Sequence, residues 1–122
     1  MRILLGAGEV ERVREVLEAA VSRAREADDE IVVAVMDLPD TDSAPAAVEE
    51  RVRDVLSDLE FDAEVRRLEG HAGSRLVDLA ETEGFDRIAL DGGERSPLGK
   101  VQLGSTAEFV LLNARSTVTV LR

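Results

Sequence analysis

The sequence predicts a single α/β domain, residues 1–122, built on a five-stranded parallel sheet with helices on both faces. A chain of 122 residues has room for one hydrophobic core. Along it, short apolar runs of strand length alternate with longer segments whose apolar residues recur every three or four positions. The resulting order, β-α-β-α-β-α-β-α-β, is the alternation typical of parallel sheets.

The first half of the chain contains two predicted strands and two predicted helices. Residues 2–7 and 31–36 are apolar runs, the second rich in β-branched side chains, and they predict buried strands. Residues 9–27 and 46–59 carry an apolar stripe of helical period opposite charged residues, which predicts amphipathic helices. Residues 37–45 contain two prolines and predict a loop between the second strand and the second helix.

The next segment predicts a weaker strand, a helix and a short strand. Residues 63–68 alternate only loosely between apolar and charged side chains, which favours an edge strand. We expect a turn at residues 70–73 and then a helix with Ser74 as its N-cap, ended by Gly84 in the C′ position. Residues 87–90 predict a short strand.

A long loop, a helix and a final strand complete the predicted fold. Residues 91–103 form the loop, a helix begins near residues 104–106, and residues 117–121 form the strand. The expected core-facing residues of this helix are Ala107, Val110, Leu111 and Ala114. Right-handed crossovers favour the flavodoxin- or Rossmann-like strand order 3-2-1-4-5, which places the loosely alternating third strand and the last strand at the two edges.

The composition excludes several classes of function. The chain has 26 acidic and 15 basic residues, a net charge of −11, so nucleic acids and anionic membranes are repelled. It has no cysteine, which excludes disulfides, thiolate metal sites and thiol catalysis. No apolar run approaches the ~18 residues of a membrane span, and the first residues lack the apolar stretch of a signal peptide, so we expect a cytoplasmic location.

The charged residues also favour a saline environment. Lys100 is the only lysine among the 15 basic residues. A strong acidic excess with almost no lysine is expected of a halophilic protein, because carboxylates stay hydrated while salt screens their mutual repulsion. An acidic protein from a GC-rich genome would favour arginine over lysine equally well.

A ligand site is expected where the strand order reverses, beyond the carboxyl ends of the first and fourth strands. Two glycine-containing loops meet there, at residues 6–9 and 91–100. The helix that follows begins with Ser105 and Thr106, and the free N–H groups of a helix N-terminus attract anions. Lys100 adds positive charge to the second loop. These features favour a phosphate-bearing ligand; the alternative is that the second loop is only a solvated connection.

Other candidate sites are weak. His71 is the only histidine and is expected to be a surface residue in a turn. No catalytic residue and no cluster of metal ligands is predicted.

Several segments resemble one known family, the universal stress proteins. DGGE at 91–94, LGSTAEFVL at 103–111 and VTV at 118–120 are arranged as in the C-terminal pattern of that family. ILL at 3–5 and FDRIAL at 85–90 extend the resemblance over the whole chain. The region from Gly92 to Leu112 is also similar to family members from salt-loving archaea.

The resemblance implies the same 3-2-1-4-5 sheet and, in many members, ATP or AMP bound in the crevice described above. The nucleotide contacts that it implies in this sequence are Gly8, Val35, Gly92, Gly93, Ser96, Lys100, Gly104, Ser105 and Thr106.

Three positions depart from the pattern of the ATP-binding members. That pattern is G-x2-G-x9-G-[S/T], and counting back from Gly104 places its two earlier glycines at Asp91 and Glu94. The aspartate that reads the adenine in those members falls at Gly8. Each misplaced carboxylate would repel a polyphosphate at a cost on the order of 1–4 kcal/mol.

We therefore expect a non-enzymatic, dimeric stress-response protein with a degenerate adenine-nucleotide site. The alternative is a functional ATP- or AMP-binding member that uses the loop 92–100 and the helix start at 104–106. A third class, a flavodoxin-like enzyme or electron carrier, is disfavoured because no aromatic side chain in these loops can stack on a flavin.

The last strand predicts a homodimer. It is uncharged, rich in β-forming residues and placed at a sheet edge, where unprotected backbone groups invite pairing. The resemblance implies antiparallel pairing of this strand with its two-fold mate. The residues of the expected interface are Thr117, Val118, Thr119, Val120 and Leu121.

Overall fold

A parallel five-stranded sheet forms the centre of the fold in the computed structural model, which describes residues 1–39, 41–92 and 104–121. Its strands are β1 (Arg2–Ala7), β2 (Glu30–Val35), β3 (Glu64–Arg67), β4 (Arg87–Asp91) and β5 (Thr117–Leu121). Neighbouring strands are parallel, in the order β3-β2-β1-β4-β5. The predicted strand order is confirmed.

Four α-helices in the described part of the chain cover the sheet. They are α1 (Val13–Ala27), α2 (Pro45–Asp58), α3 (Ala72–Thr82) and α4 (Ser105–Asn113). The sequence predicts that the first α-helix begins at Glu9, but α1 begins at Val13. Glu9 is extended and makes no side-chain capping bond, and a 3₁₀ turn, Val10–Arg12, precedes α1.

The two central strands are buried on both faces. Leu5 of β1 and Val33 of β2 belong to the core beneath α1 and α2. Their chain neighbours Leu4 and Val32 belong to the core beneath α3 and α4. Because both faces are covered, these strands have continuous apolar runs rather than alternating ones, which is why both could be predicted to within one residue of their observed bounds.

The start of α3 differs from the prediction. His71, not Ser74, is the N-cap: its Nδ1 accepts a hydrogen bond from the backbone N–H of Ser74 at 3.1 Å. The predicted turn at residues 70–73 is therefore partly helical, since α3 starts at Ala72. The predicted end is confirmed, because Gly84 follows the C-cap with φ +66°, a left-handed conformation that glycine adopts without strain.

Helix α4 also buries fewer residues than expected. Ala107 and Val110 are buried and Ala114 packs beside them. Leu111, predicted to face the core, is 43% exposed, and Leu112 is 85% exposed. Apolar residues occupy every side of this short helix, so its sequence has no single stripe that indicates the buried face.

Candidate functional site

A crevice of about 250 Å³ opens beyond the carboxyl ends of β1 and β4, where the strand order reverses. The end of β1 and the loop after it form one side, and the end of β4 forms the other. Met36 and Leu38, which follow β2, line it as well, and α4 contributes its first turn. The crevice thus lies where the sheet topology predicts a ligand site.

The predicted nucleotide contacts fall into four groups. Those that line the crevice are Gly8, Gly92, Gly104 and Thr106. Those that lie outside the described residues are Gly93, Ser96 and Lys100. Ser105 is exposed and lines an adjacent groove. Val35 is fully buried in the core, its carbonyl accepts a hydrogen bond from the Leu68 N–H at 2.9 Å, and it does not line the crevice.

Two of the crevice glycines have limited freedom to meet a ligand. The N–H of Gly92 donates to the carbonyl of Leu121 at 2.6 Å and so extends the pairing of β4 with β5. A Cβ at Gly8 would lie 2.4 Å from Cδ1 and 2.5 Å from Cγ of Leu38. A side chain at position 8 would therefore require the Leu38 side chain to move.

An ion pair, Arg12–Asp91, forms part of the crevice lining. Arg12 donates from Nε to one carboxylate oxygen of Asp91 and from Nη2 to the other, both at 3.0 Å. The two side chains are 11% and 22% exposed. Arg12 also donates to Glu15 at 2.6 Å. The hydrogen bonds that Arg12 donates to Asp91 are the main reason that the pKa of Arg12 is raised.

This pair corrects the prediction for Asp91. Asp91 was expected to open the long loop as a carboxylate facing phosphate, but it is the last residue of β4 and is held by a guanidinium. Arg12 was not predicted as a site residue. It lies in a segment whose charged side chains resemble a solvated helix face, and the two partners are 79 positions apart in the sequence. Glu94, the other carboxylate expected to face phosphate, lies outside the described residues.

The described residues contain neither a metal-binding cluster nor a membrane-spanning helix. Within residues 1–39, 41–92 and 104–121, no group of three or more acidic or histidine residues is placed to hold a metal ion. None of the helices described there is both long and apolar enough to cross a bilayer.

A doubly wound sheet with a crevice at its switch point defines a class of small-ligand-binding domains. Comparison with protein families matches residues 1–122 to the universal stress protein family, and the chain belongs to that family. A comparison with curated proteins gives no match.

Solved structures of the same family show the same fold. The universal stress protein from Archaeoglobus fulgidus superposes with a TM-score of 0.78 at 24% identity, over 100% of this chain and 98% of that one. A complex of the universal stress protein from A. fulgidus with dAMP gives a TM-score of 0.74 at 18% identity, with coverages of 100% and 98%. A universal stress protein in complex with cAMP gives 0.74 at 20% identity, with coverages of 100% and 96%.

Proposed function

We propose that this chain acts as a non-enzymatic, dimeric universal stress protein whose adenine-nucleotide site is degenerate. The observation that carries the proposal is the contact between Leu38 and Gly8. The family resemblance implies an aspartate at position 8 to read the adenine, and the Leu38 side chain occupies the space where its Cβ would lie. The base would therefore meet an aliphatic side chain in place of a carboxylate.

The phosphate side of the crevice supports the same proposal. A nucleotide phosphate would have to draw Arg12 away from two 3.0 Å hydrogen bonds with Asp91, and the freed carboxylate would then face that phosphate. Both effects lower affinity, because the bonds that are lost are charge-assisted and the contact that remains is between like charges.

The second candidate function is adenine-nucleotide binding, with ATP or AMP as the ligand. It is favoured by the crevice itself, which opens at the switch point beside the first turn of α4. Structural relatives of the family are known in complex with dAMP and with cAMP. In this alternative the loop from Gly92 to Lys100 and the segment from Gly104 to Thr106 would hold the phosphates.

Calorimetry separates the two functions. Titration of AMP and ATP into the protein in 2 M KCl should give no binding heat if the site is degenerate. A dissociation constant tighter than about 100 μM, equivalent to about 5.5 kcal/mol, would instead support the nucleotide-binding alternative. The double variant Gly8→Asp with Leu38→Ala should gain AMP affinity over the matched control Leu38→Ala. Equal affinities of the two variants would contradict the role given to Leu38.

We also propose that two chains pair through β5. This strand is the sheet edge next to β4, and its five residues, Thr117–Leu121, include no charged side chain. Because the Leu121 carbonyl accepts from Gly92 on the β4 side, alternation along the strand directs the backbone groups of Val118 and Val120 to the outer edge. Those unpaired groups are suited to a two-fold antiparallel contact.

The proposed setting is the cytoplasm of a halophilic cell, as in the salt-loving archaeal members that the sequence resembles. The support is the composition: a net charge of −11 with arginine in place of nearly all lysine. At high salt the repulsion among these carboxylates is screened over a few ångströms.

A further inference from the structure

His71, the only histidine in the sequence, connects the first turn of α3 to α4. Its Nδ1 accepts a hydrogen bond from the Ser74 N–H at 3.1 Å and lies 3.0 Å from the Ser74 hydroxyl oxygen. Its ring meets the ring of Phe109 edge-on at a centroid distance of 4.9 Å. A Cβ at Gly73 would lie 2.6 Å from Cδ1 of Phe109. The capped turn of α3 thus contacts Phe109 through both a side chain and its backbone.

The cap requires a neutral imidazole. Nδ1 accepts through its lone pair, and protonation of the ring converts that atom into a donor. The Ser74 hydroxyl can then accept instead of donating, but the Ser74 N–H loses its acceptor. The new charge also lies at a helix N-terminus, where cations are unfavourable. Since imidazoles titrate at about pH 6.5, within the physiological range, a histidine cap is sensitive to pH where the usual caps are not.

The charged groups around His71 act in both directions. Arg75, one turn further along α3, disfavours a second positive charge. Carboxylates on the neighbouring segments favour it: Asp37 after β2, Glu69 after β3 and Glu108 on α4. All three are exposed, and among the described residues none forms an ion pair with His71, so solvent and salt weaken their effect. The phenylalanine ring of α4 also contributes little to a cation at an exposed position. The loss of the cap therefore decides the direction of the pH effect.

The capped turn lies beside the crevice. His71 lines a groove whose other side includes Ser105, Thr106 and Phe109 of α4. Thr106 also lines the crevice, so the first turn of α4 borders both spaces. A change in the contact between the α3 turn and Phe109 therefore reaches the helix start at the crevice.

We propose that His71 is a pH-sensitive helix cap. At neutral pH the uncharged ring holds the first turn of α3 and, through Phe109, the start of α4 beside the crevice. On acidification through about pH 6 the ring becomes charged, the Ser74 N–H loses its acceptor, and the contact between the two helices loosens. The stability that the cap supplies is present at neutral pH and is lost as the pH falls, because only the neutral ring makes the bond. This device does not depend on whether the crevice binds a nucleotide.

The test compares wild type with His71→Asn, whose side chain caps a helix but does not titrate. Between about pH 7.5 and pH 5.5, where ordinary carboxylates stay ionised, the thermal midpoint of wild type should fall about 3 °C more than that of His71→Asn. The amino group of Met1 is common to both proteins and cancels in the comparison. In NMR spectra of wild type, the Ser74 amide proton should move upfield together with the titration of the His71 ring protons, and His71→Asn should show no such step.

A second variant identifies the donor that is released. Ser74→Ala removes the hydroxyl but keeps the N–H, so it should retain the fall in thermal midpoint. The ring resonances of Phe109 and the amide of Thr106 should shift with the His71 titration in wild type and stay fixed in His71→Asn. The proposal is overturned if wild type loses no more stability than His71→Asn, if its midpoint rises on acidification as the nearby carboxylates alone would cause, or if Ser74→Ala abolishes the pH dependence. Fixed Phe109 and Thr106 resonances during the titration would overturn the coupling to α4.

Discussion

The Arg12–Asp91 pair changes how the charge of the crevice is understood. From the sequence alone, Asp91 is a bare carboxylate at a position where phosphate would lie. In the structure it accepts two hydrogen bonds from a guanidinium, so it repels an anion only if that pair is broken. Under the proposed function, Arg12 and Leu38 are the side chains that would exclude a nucleotide, and neither belongs to the motif that identifies the family.

His71 was expected to be a surface residue in a turn, but it is the N-cap of α3. Its Nδ1 accepts from the Ser74 N–H, and its ring meets Phe109 of α4 edge-on at a centroid distance of 4.9 Å. His71→Ala should lower the free energy of unfolding by about 1 kcal/mol, because a helix N-terminus loses its cap. Urea denaturation at neutral pH measures this loss.

The matched control for the cap is His71→Asn. Asparagine is a good N-cap but lacks the ring that contacts Phe109. It should recover most of the stability lost in His71→Ala if capping dominates. Equal losses in the two variants would show that the ring contact, and not the cap, is the stabilising interaction.

Glu83, the C-cap of α3, links stability to pH. A hydrogen bond from Arg66 of β3 is the main cause that lowers the pKa of Glu83 below its ordinary value of 4.5. A carboxylate with a lowered pKa in the folded state adds stability above its unfolded pKa, and this stability is lost as the pH falls through the folded value. The thermal midpoint of wild type should therefore fall more steeply than that of Glu83→Gln between about pH 5 and pH 3.

A control variant separates this effect from general acid denaturation. Glu50 is exposed on α2, and the structure gives it no ion pair with any described residue. Glu50→Gln should keep the pH profile of wild type. Parallel profiles of wild type and Glu83→Gln would rule out a contribution from the Arg66–Glu83 pair.

The secondary-structure elements differ in how well they could be predicted. The strands were predicted closely because a strand buried on both faces needs an uninterrupted apolar run, as in residues 31–35. Helix starts were less predictable. The cap of α3 is a histidine, which is not among the residues that usually cap helices, and α1 is preceded by a 3₁₀ turn that has no sequence marker.

The position of the site could be predicted from the sequence, but the side-chain contacts within it could not. Topology alone places a ligand site between β1 and β4, and a crevice is found there. The contact of Leu38 with Gly8 and the pairing of Arg12 with Asp91 join segments that are distant in sequence. The spacing of residues within a short sequence motif carries no information about such contacts.

The β5 edge gives a prediction for a whole element. Val120→Pro removes an N–H that faces the outer edge, so pairing with a second β5 is lost while pairing with β4 is retained. The protein should change from dimer to monomer in size-exclusion chromatography with light scattering. Val120→Thr, which keeps both the N–H and the β-branched shape, should remain dimeric. A dimer that survives the proline would exclude this edge as the interface.

For the whole molecule, the net charge of −11 predicts salt-dependent stability. Like charges in a compact domain repel one another, and the screening length falls from about 10 Å at 0.1 M salt to about 3 Å at 1 M. The thermal midpoint should therefore rise between 0.1 and 2 M KCl. If the repulsion relieved is about 1 kcal/mol, the rise is about 4 °C for a domain of this size.

Salt also stabilises proteins by strengthening apolar burial. A variant with fewer surface charges is therefore needed to show which effect raises the thermal midpoint. Four exposed carboxylates for which the structure gives no ion pair with described residues can be changed to amides: Glu26→Gln, Glu50→Gln, Asp54→Asn and Asp78→Asn. The net charge then becomes −11 + 4 = −7. This variant should start from a higher midpoint at 0.1 M KCl and gain less on addition of salt. Because its apolar core is unchanged, an equal salt gain in both proteins would attribute the stabilisation to apolar burial and contradict adaptation through surface charge.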